Sequence, residues 1–195
     1  MSSLPPLRRI VTTHAPQSDS SAEPPVRILH DGDYDDPTVG RSRRAWSGDF
    51  PAVQNTDDDF IAHDGLVRRG GTSCRTTTLR PGEVTPMHRT SSLDYNIITH
   101  GTITLLTPKL PSKPEQWPPS SILHTRDDIQ ETQVNVGEVV VQRGTIHAWR
   151  NDTSELVRWT AVLSDAQPAL DLEEAWVEEG KNGDGKGDVR TGVKL

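Results

Sequence analysis

Cysteine is nearly absent. Cys74 stands alone in 195 residues, so no disulfide can close within the chain and a reducing, cytoplasmic setting is expected. It falls in a β-like segment, Thr72–Leu79, where a buried inert thiol is expected rather than a nucleophile. Apolar residues make up only 32% and aromatic residues 5%, which predicts a compact core with irregular ends. No apolar stretch approaches the roughly 20 residues of a membrane span, and Met1–His14 lacks the apolar run of a secretory leader. Positive charge is also scarce. With 21 Lys and Arg against 28 Asp and Glu, the net charge of −7 argues against nucleic acid as a partner. Neither internal repeats nor coiled-coil heptads occur.

What the chain holds in quantity is turn chemistry, with 15 Gly and 15 Pro. Between the turns lie short alternating runs. They predict strands at Thr72–Leu79, Asp94–Thr99, Thr102–Thr107, Glu131–Val136, Glu138–Gln142, His147–Asn151 and Leu156–Leu163. Short strands at this spacing indicate an all-β sandwich or barrel. Residues 1–25, rich in Ser, Pro and Thr, read as a flexible arm with one short strand at Arg9–Thr12. Val26–His30 and Arg43–Trp46 add two further strands, and one domain is expected over residues 26–168, with its regular part at 72–165.

Between Pro108 and Ile129 the pattern breaks. Pro108, Pro111, Pro114, Pro118 and Pro119 prevent ladder pairing there, with Trp117 among them. This stretch, 108–129, reads as an insertion, either a binding loop or a surface excursion. Asp57–Asp59 point in alternating directions on an extended chain and read as a solvated charge run. Residues 169–179 have helical composition, with Leu172 and Trp176 able to share a face. The tail 180–195, with Gly amid charges, reads as disordered.

Two segments concentrate the chemistry. One runs from Gly82 through His88, Thr90 and Asp94 to Gly101; the other runs from Gly137 through Gln142, Gly144 and His147 to Asn151. Their spacing resembles the two defining motifs of the cupin superfamily. Thr90 stands where the first motif has its second His, Asp94 replaces Glu, and Gln142 takes the Pro position of the second motif, one residue early. The wording His88-Arg89-Thr90 and Val141-Gln142-Arg143-Gly144-Thr145-Ile146-His147 is similar to a microbial subgroup met in fungal natural-product pathways. The opening Leu7-Arg8-Arg9-Ile10-Val11-Thr12-Thr13-His14 is similar to it as well.

The resemblance implies a single-domain cupin, a double-stranded β-helix or jelly-roll barrel with an irregular N-terminal arm and a short C-terminal helix. It also implies a homodimer formed by sheet packing and N-terminal strand exchange, and it places the 108–129 insertion at the barrel mouth. In the cupin register, strand alternation points His88, Thr90, Asp94, Asn96, Ile98, His147 and Trp149 into the barrel. His14, His30, His63, His100 and His124 lack paired spacing and read as surface or turn residues.

Two chemistries suit His88, Asp94 and His147. As metal ligands they would form a two-His, one-carboxylate triad for Fe, Zn, Mn or Ni, the arrangement of a dioxygenase. As acid–base groups without a cofactor they could drive dehydration, isomerisation or ring closure of a polyketide-like or aromatic small molecule. Thr90, a weak substitute for an imidazole ligand, tips the expectation toward lyase, isomerase or cyclase chemistry. Arg143, Trp149, Trp117 and Trp46 are the further candidates for holding the substrate, beside Thr90, Asn96 and Ile98. A non-catalytic ligand-binding protein is the third reading.

Overall fold

The computed structural model describes residues 4–14, 26–33, 42–51, 65–109, 129–167 and 175–176. Among them twelve strands form and no helix does. In chain order they are β1 (Arg8–His14), β2 (Val26–Asp33), β3 (Arg43–Asp49), β4 (Gly71–Leu79), β5 (His88–Arg89) and β6 (Ser92–His100). The rest are β7 (Thr102–Pro108), β8 (Ile129–Asn135), β9 (Val139–Arg143), β10 (Ala148–Arg150), β11 (Val157–Asp165) and β12 (Ala175–Trp176). Every expected strand is present to within a few residues.

The strands assemble out of chain order, as a double-stranded β-helix requires. A five-stranded antiparallel sheet runs β3-β4-β11-β6-β9, and a three-stranded one runs β10-β7-β8. Alternation makes one face of each sheet apolar, and these faces close on each other. Leu79, Ile98, Val157 and Trp159 from the larger sheet pack against Ile103, Leu105, Val134 and Trp149 from the smaller. Each such side chain contributes about 1.5–3 kcal/mol by leaving water. This apolar plug fills the barrel interior up to a cavity, which Leu79, Trp149 and Trp159 line together with polar side chains.

Turn chemistry closes the strands onto one another. Gly101 joins β6 to β7 at φ +75°, and a Cβ there would stand 2.9 Å from Cγ1 of Val157, so only glycine fits. Asn151, fully buried, ties three loops together. Its Nδ2 donates to the carbonyls of Leu79 and Glu155, and its Oδ1 accepts from the backbone N–H and hydroxyl of Thr153.

Three expectations meet the structure differently. The N-terminal arm contains a full strand, β1, paired along its length with β2; residues 15–25 lie outside the described residues. The helix expected over 169–179 is not formed where that stretch is described. Ala175–Trp176 instead pairs with Arg89 and His88, so an open strand edge overrides local helical composition. The insertion leaves and re-enters at one point, because Pro108 pairs with Ile129. Its residues 110–128, including Trp117, lie outside the described residues, as do Asp57–Asp59 and the tail 180–195.

Replacing Asn151 by Ala strands several buried polar groups at once, each at about 1–3 kcal/mol. Urea unfolding of Asn151→Ala is therefore expected to show a loss of about 3 kcal/mol or more; a loss under about 1 kcal/mol would remove Asn151 from this structural role.

Candidate active site

The site is organised by one cross-strand contact. His88 and His147 exchange both backbone hydrogen bonds, each N–H donating to the other's carbonyl at 2.9 Å. Residues paired in this way face the same side of the sheet, and the two imidazoles accordingly meet with ring centroids 4.4 Å apart. The chain reaches this register by a slip. From the Val84–Arg150 bridge to the His88–His147 bridge, one strand advances four residues and the other three. Pro86, which has no N–H to pair, lies within the slip. The N–H of Trp149 donates instead to the hydroxyl of Thr85 at 2.9 Å.

Both imidazoles are oriented by their own strands. Nδ1 of His88 donates to the carbonyl of Pro86 and Nδ1 of His147 to that of Thr145, each at 2.9 Å and each two residues back. A proton held on Nδ1 leaves the lone pair on Nε2 in both neutral rings. Trp149 stands edge-on to His147 and stacks at a tilt on Trp159, closing the apolar side of the site.

The rings border a cavity of about 340 Å³, the size of a small-molecule site. Its opposite wall is the inner face of the five-stranded sheet. Asp94 is held there by two hydroxyls, Ser92 at 2.5 Å and Thr90 at 3.1 Å. Beside it, Nδ2 of Asn96 donates to Oε1 of Gln142 at 2.7 Å, while Nε2 of Gln142 is buried without a partner. Arg75 lines the same cavity from β4.

Burial sets the protonation states. It depresses the pKa of His88, with the Pro86 carbonyl acting in the opposite sense. His147 is pushed down to about 3, chiefly by burial and then by the charge His88 would carry. Both rings are therefore neutral at physiological pH. Burial raises the pKa of Asp94, against the two hydroxyls that favour its charged form.

Of the residues singled out from the sequence, His88, Thr90, Asp94, Asn96, His147 and Trp149 all line this cavity. Ile98 does not; it points inward but belongs to the apolar plug. Arg143 is exposed and outside the cavity, because alternation on β9 turns its neighbour Gln142 inward. Trp46 is half-buried and absent from the cavity wall; its ring lies back along its own strand, over Gly48. Asp94 orients neither imidazole: its hydrogen bonds go to Ser92 and Thr90, and backbone carbonyls orient the rings. Gln142 and Arg75 were missed as site residues, although the parity that places Asp94 inside also places Gln142, its register partner, there.

A metal triad fits this arrangement poorly. Among the described residues, no three His, Cys, Asp or Glu side chains are placed to share one ion, and both Asp94 oxygens already accept hydroxyl bonds.

No family model matches the chain. Several proteins of fungal biosynthesis clusters do. Oryzines biosynthesis cluster protein J of Aspergillus oryzae is 24% identical over 85% of this chain and 87% of its own length. The cupin-domain-containing oxidoreductase virC of Hypocrea virens is 30% identical over 63% of this chain and 52% of its own length. Phomopsin biosynthesis cluster protein D of Diaporthe leptostromiformis is 33% identical over 45% of this chain, a match spanning 36% of that protein's length. Among solved structures, the polyketide cyclase RemF from Streptomyces resistomycificus overlaps 65% of this chain and 66% of its own, at 18% identity and a TM-score of 0.38. By motif spacing and strand topology the chain is a double-stranded β-helix barrel. It is similar to proteins encoded in fungal biosynthesis clusters. No helix among the described residues is long and apolar enough to cross a membrane.

The depressed histidine pKa makes stability depend on pH in a defined direction. Unfolded, His147 takes a proton near its ordinary 6.5; folded, only near 3. Its contribution is therefore complete above about pH 6.5 and falls as the pH drops toward 3, by at most about 1.4 kcal/mol per pH unit. The raised pKa of Asp94 has the opposite sign but is common to wild type and variant. Urea unfolding between pH 7 and 4 should show a shallower loss in His147→Gln than in the wild type. Parallel curves would mean that His147 titrates normally in the fold.

Proposed function

We propose that this chain is a biosynthetic enzyme that performs acid–base chemistry on a polyketide-like or aromatic intermediate, without a change in oxidation state. Dehydration, isomerisation and ring closure are the reactions within its reach. The observation that carries this reading is the close, tilted pair of neutral imidazoles facing a small-molecule cavity, both with the lone pair on Nε2. The fungal cluster relatives support the biosynthetic setting.

The two rings divide the work. A charge on His88 is one of the two effects that oppose a charge on His147, so the pair takes up one proton rather than two. His88 is the better base and removes a proton, most readily from a carbon between two carbonyls. His147, held neutral, accepts a hydrogen bond from the substrate and orients it. The proton on His88 then returns to a leaving hydroxyl or an enolate carbon, completing an elimination or isomerisation. Trp149, Trp159 and Leu163 exclude water around the reacting atoms. This chemistry needs no cofactor.

A second reading is metal-dependent oxidation, favoured by the names of two relatives, the cupin-domain-containing oxidoreductases virC and fogC. It requires Asp94 to exchange its hydroxyl partners for an ion shared with the histidines. The homodimer implied by the resemblance would bury the exposed stripe on the outer face of β6 and β9, where Tyr95 pairs with Val141 and Ile97 with Val139.

Deleting the gene and isolating the intermediate that accumulates supplies the substrate. Purified protein is expected to convert it with unchanged mass or with loss of one water, chelator present, and His88→Gln should lower kcat by at least about 100-fold. Gain of oxygen atoms with metal dependence promotes the second reading, and tight binding without turnover leaves a ligand-binding protein.

A further inference from the structure

The inner wall of the barrel carries a cation that the proposed proton chemistry does not use. Arg75 lies on β4 at the register position facing Arg44 on β3 and Ala161 on β11. Its Nε donates to the hydroxyl of Ser42 at 2.9 Å and its Nη1 to the carbonyl of Gly65 at 3.2 Å. Both acceptors are neutral. Its charged neighbour is Arg44, which, after burial, helps lower the Arg75 pKa to about 10. A guanidinium in that position keeps its charge at neutral pH, and no carboxylate among the described residues pairs with it, a costly arrangement in a partly buried site. Its remaining N–H donors have the geometry to receive a carboxylate.

Gln142 provides a second, independent sign of a missing ligand. It is 4% exposed and lines the cavity; Asn96 fixes its carbonyl, and its Nε2 donor has no partner. A buried donor left unpaired costs about 1–3 kcal/mol unless a ligand atom satisfies it. From β4 to β9 there are three strand steps, about 14 Å across the sheet, and the register sets Gln142 two residues, roughly 7 Å, further along it, before the side chains reach inward. The floor between them is apolar on β11, with Ala161 flanked by Trp159 and Leu163, and polar on β6, with Asn96 and the hydroxyl-bonded Asp94 next to Gln142.

We propose that the cavity selects an organic acid, with its carboxylate received by Arg75, its apolar body over Ala161 and Trp159, and a neutral oxygen at the Gln142 amide. This deepens the biosynthetic reading by naming a substrate class. It rests on that reading only for the claim that the ligand is then transformed. The acid anchors one end of the molecule and brings the middle of its carbon skeleton under the His88–His147 pair.

The test is a binding measurement, independent of turnover. Calorimetric titration of the full chain with 1-naphthoate and benzoate, and with 1-naphthamide and benzamide as uncharged counterparts, reads the preference directly. The wild type is expected to bind each acid at least about tenfold more tightly than its amide. Arg75→Gln should erase that preference while leaving amide affinity unchanged, and Arg75→Lys should keep part of it. Equal affinity for acid and amide in the wild type, or no acid binding, overturns the inference, and this comparison needs no variant to fold. An acid preference that survives in Arg75→Gln overturns it as well. If acids bind through Arg75 but the accumulated intermediate is not converted, the substrate-class inference stands and the catalytic reading falls.

Discussion

The exchange of backbone hydrogen bonds between His88 and His147 is the constraint from which the site follows. Two residues 59 positions apart become direct cross-strand neighbours, and the pleat turns their side chains to the same face. A pairing one residue off would send one ring outward. What holds the register is local: Pro86 withdraws a donor, Thr85 supplies a hydroxyl in place of a ladder acceptor, and Asn151 locks the strand ends beyond. The geometry of the histidine pair thus depends on turn and slip residues outside the pair, of which Thr85 and Pro86 also line the cavity.

The distribution of charge across the cavity follows from the same architecture. The smaller sheet and its neighbouring strands supply imidazoles that burial keeps neutral. The larger sheet supplies Asp94, satisfied by hydroxyls, and Arg75, whose hydrogen-bond partners among the described residues are neutral oxygens. A neutral base in a partly desolvated site is a weak base, suited to an already acidic proton. An uncompensated guanidinium opposite it draws an anion. Under the reading proposed above, the two walls would bind and activate different ends of one molecule.

The sequence carried much of this arrangement. Strand positions were legible because alternation and glycine punctuation are local signals, and Gly82, Gly101, Gly137 and Gly144 indeed occupy positive φ. The inward set His88, Thr90, Asp94, Asn96, His147 and Trp149 followed from parity in the family's register. Arg143 was misplaced by attending to nearness to His147 rather than to parity, which points Gln142 inward instead. Ile98 has the correct parity but lies too deep, a matter of barrel height that alternation does not encode. Trp46 sits on a strand whose register slips between Arg44 and Trp46, which local pattern does not show. The strand at Ala175–Trp176 was illegible because a partner edge distant in sequence creates it.

The central claim is that His88 and His147 form a neutral, like-oriented pair inside the barrel. Long-range proton–nitrogen correlation spectra of the histidine side chains at pH 5.5 test it most directly. At neutral pH both rings are expected to hold their proton on Nδ1 and leave Nε2 bare, and at pH 5.5 the His147 ring is expected to stay so, with assignment by His88→Gln and His147→Gln. If both rings are instead protonated at that pH, like solvent-exposed histidines, the pair is not buried together and the account fails.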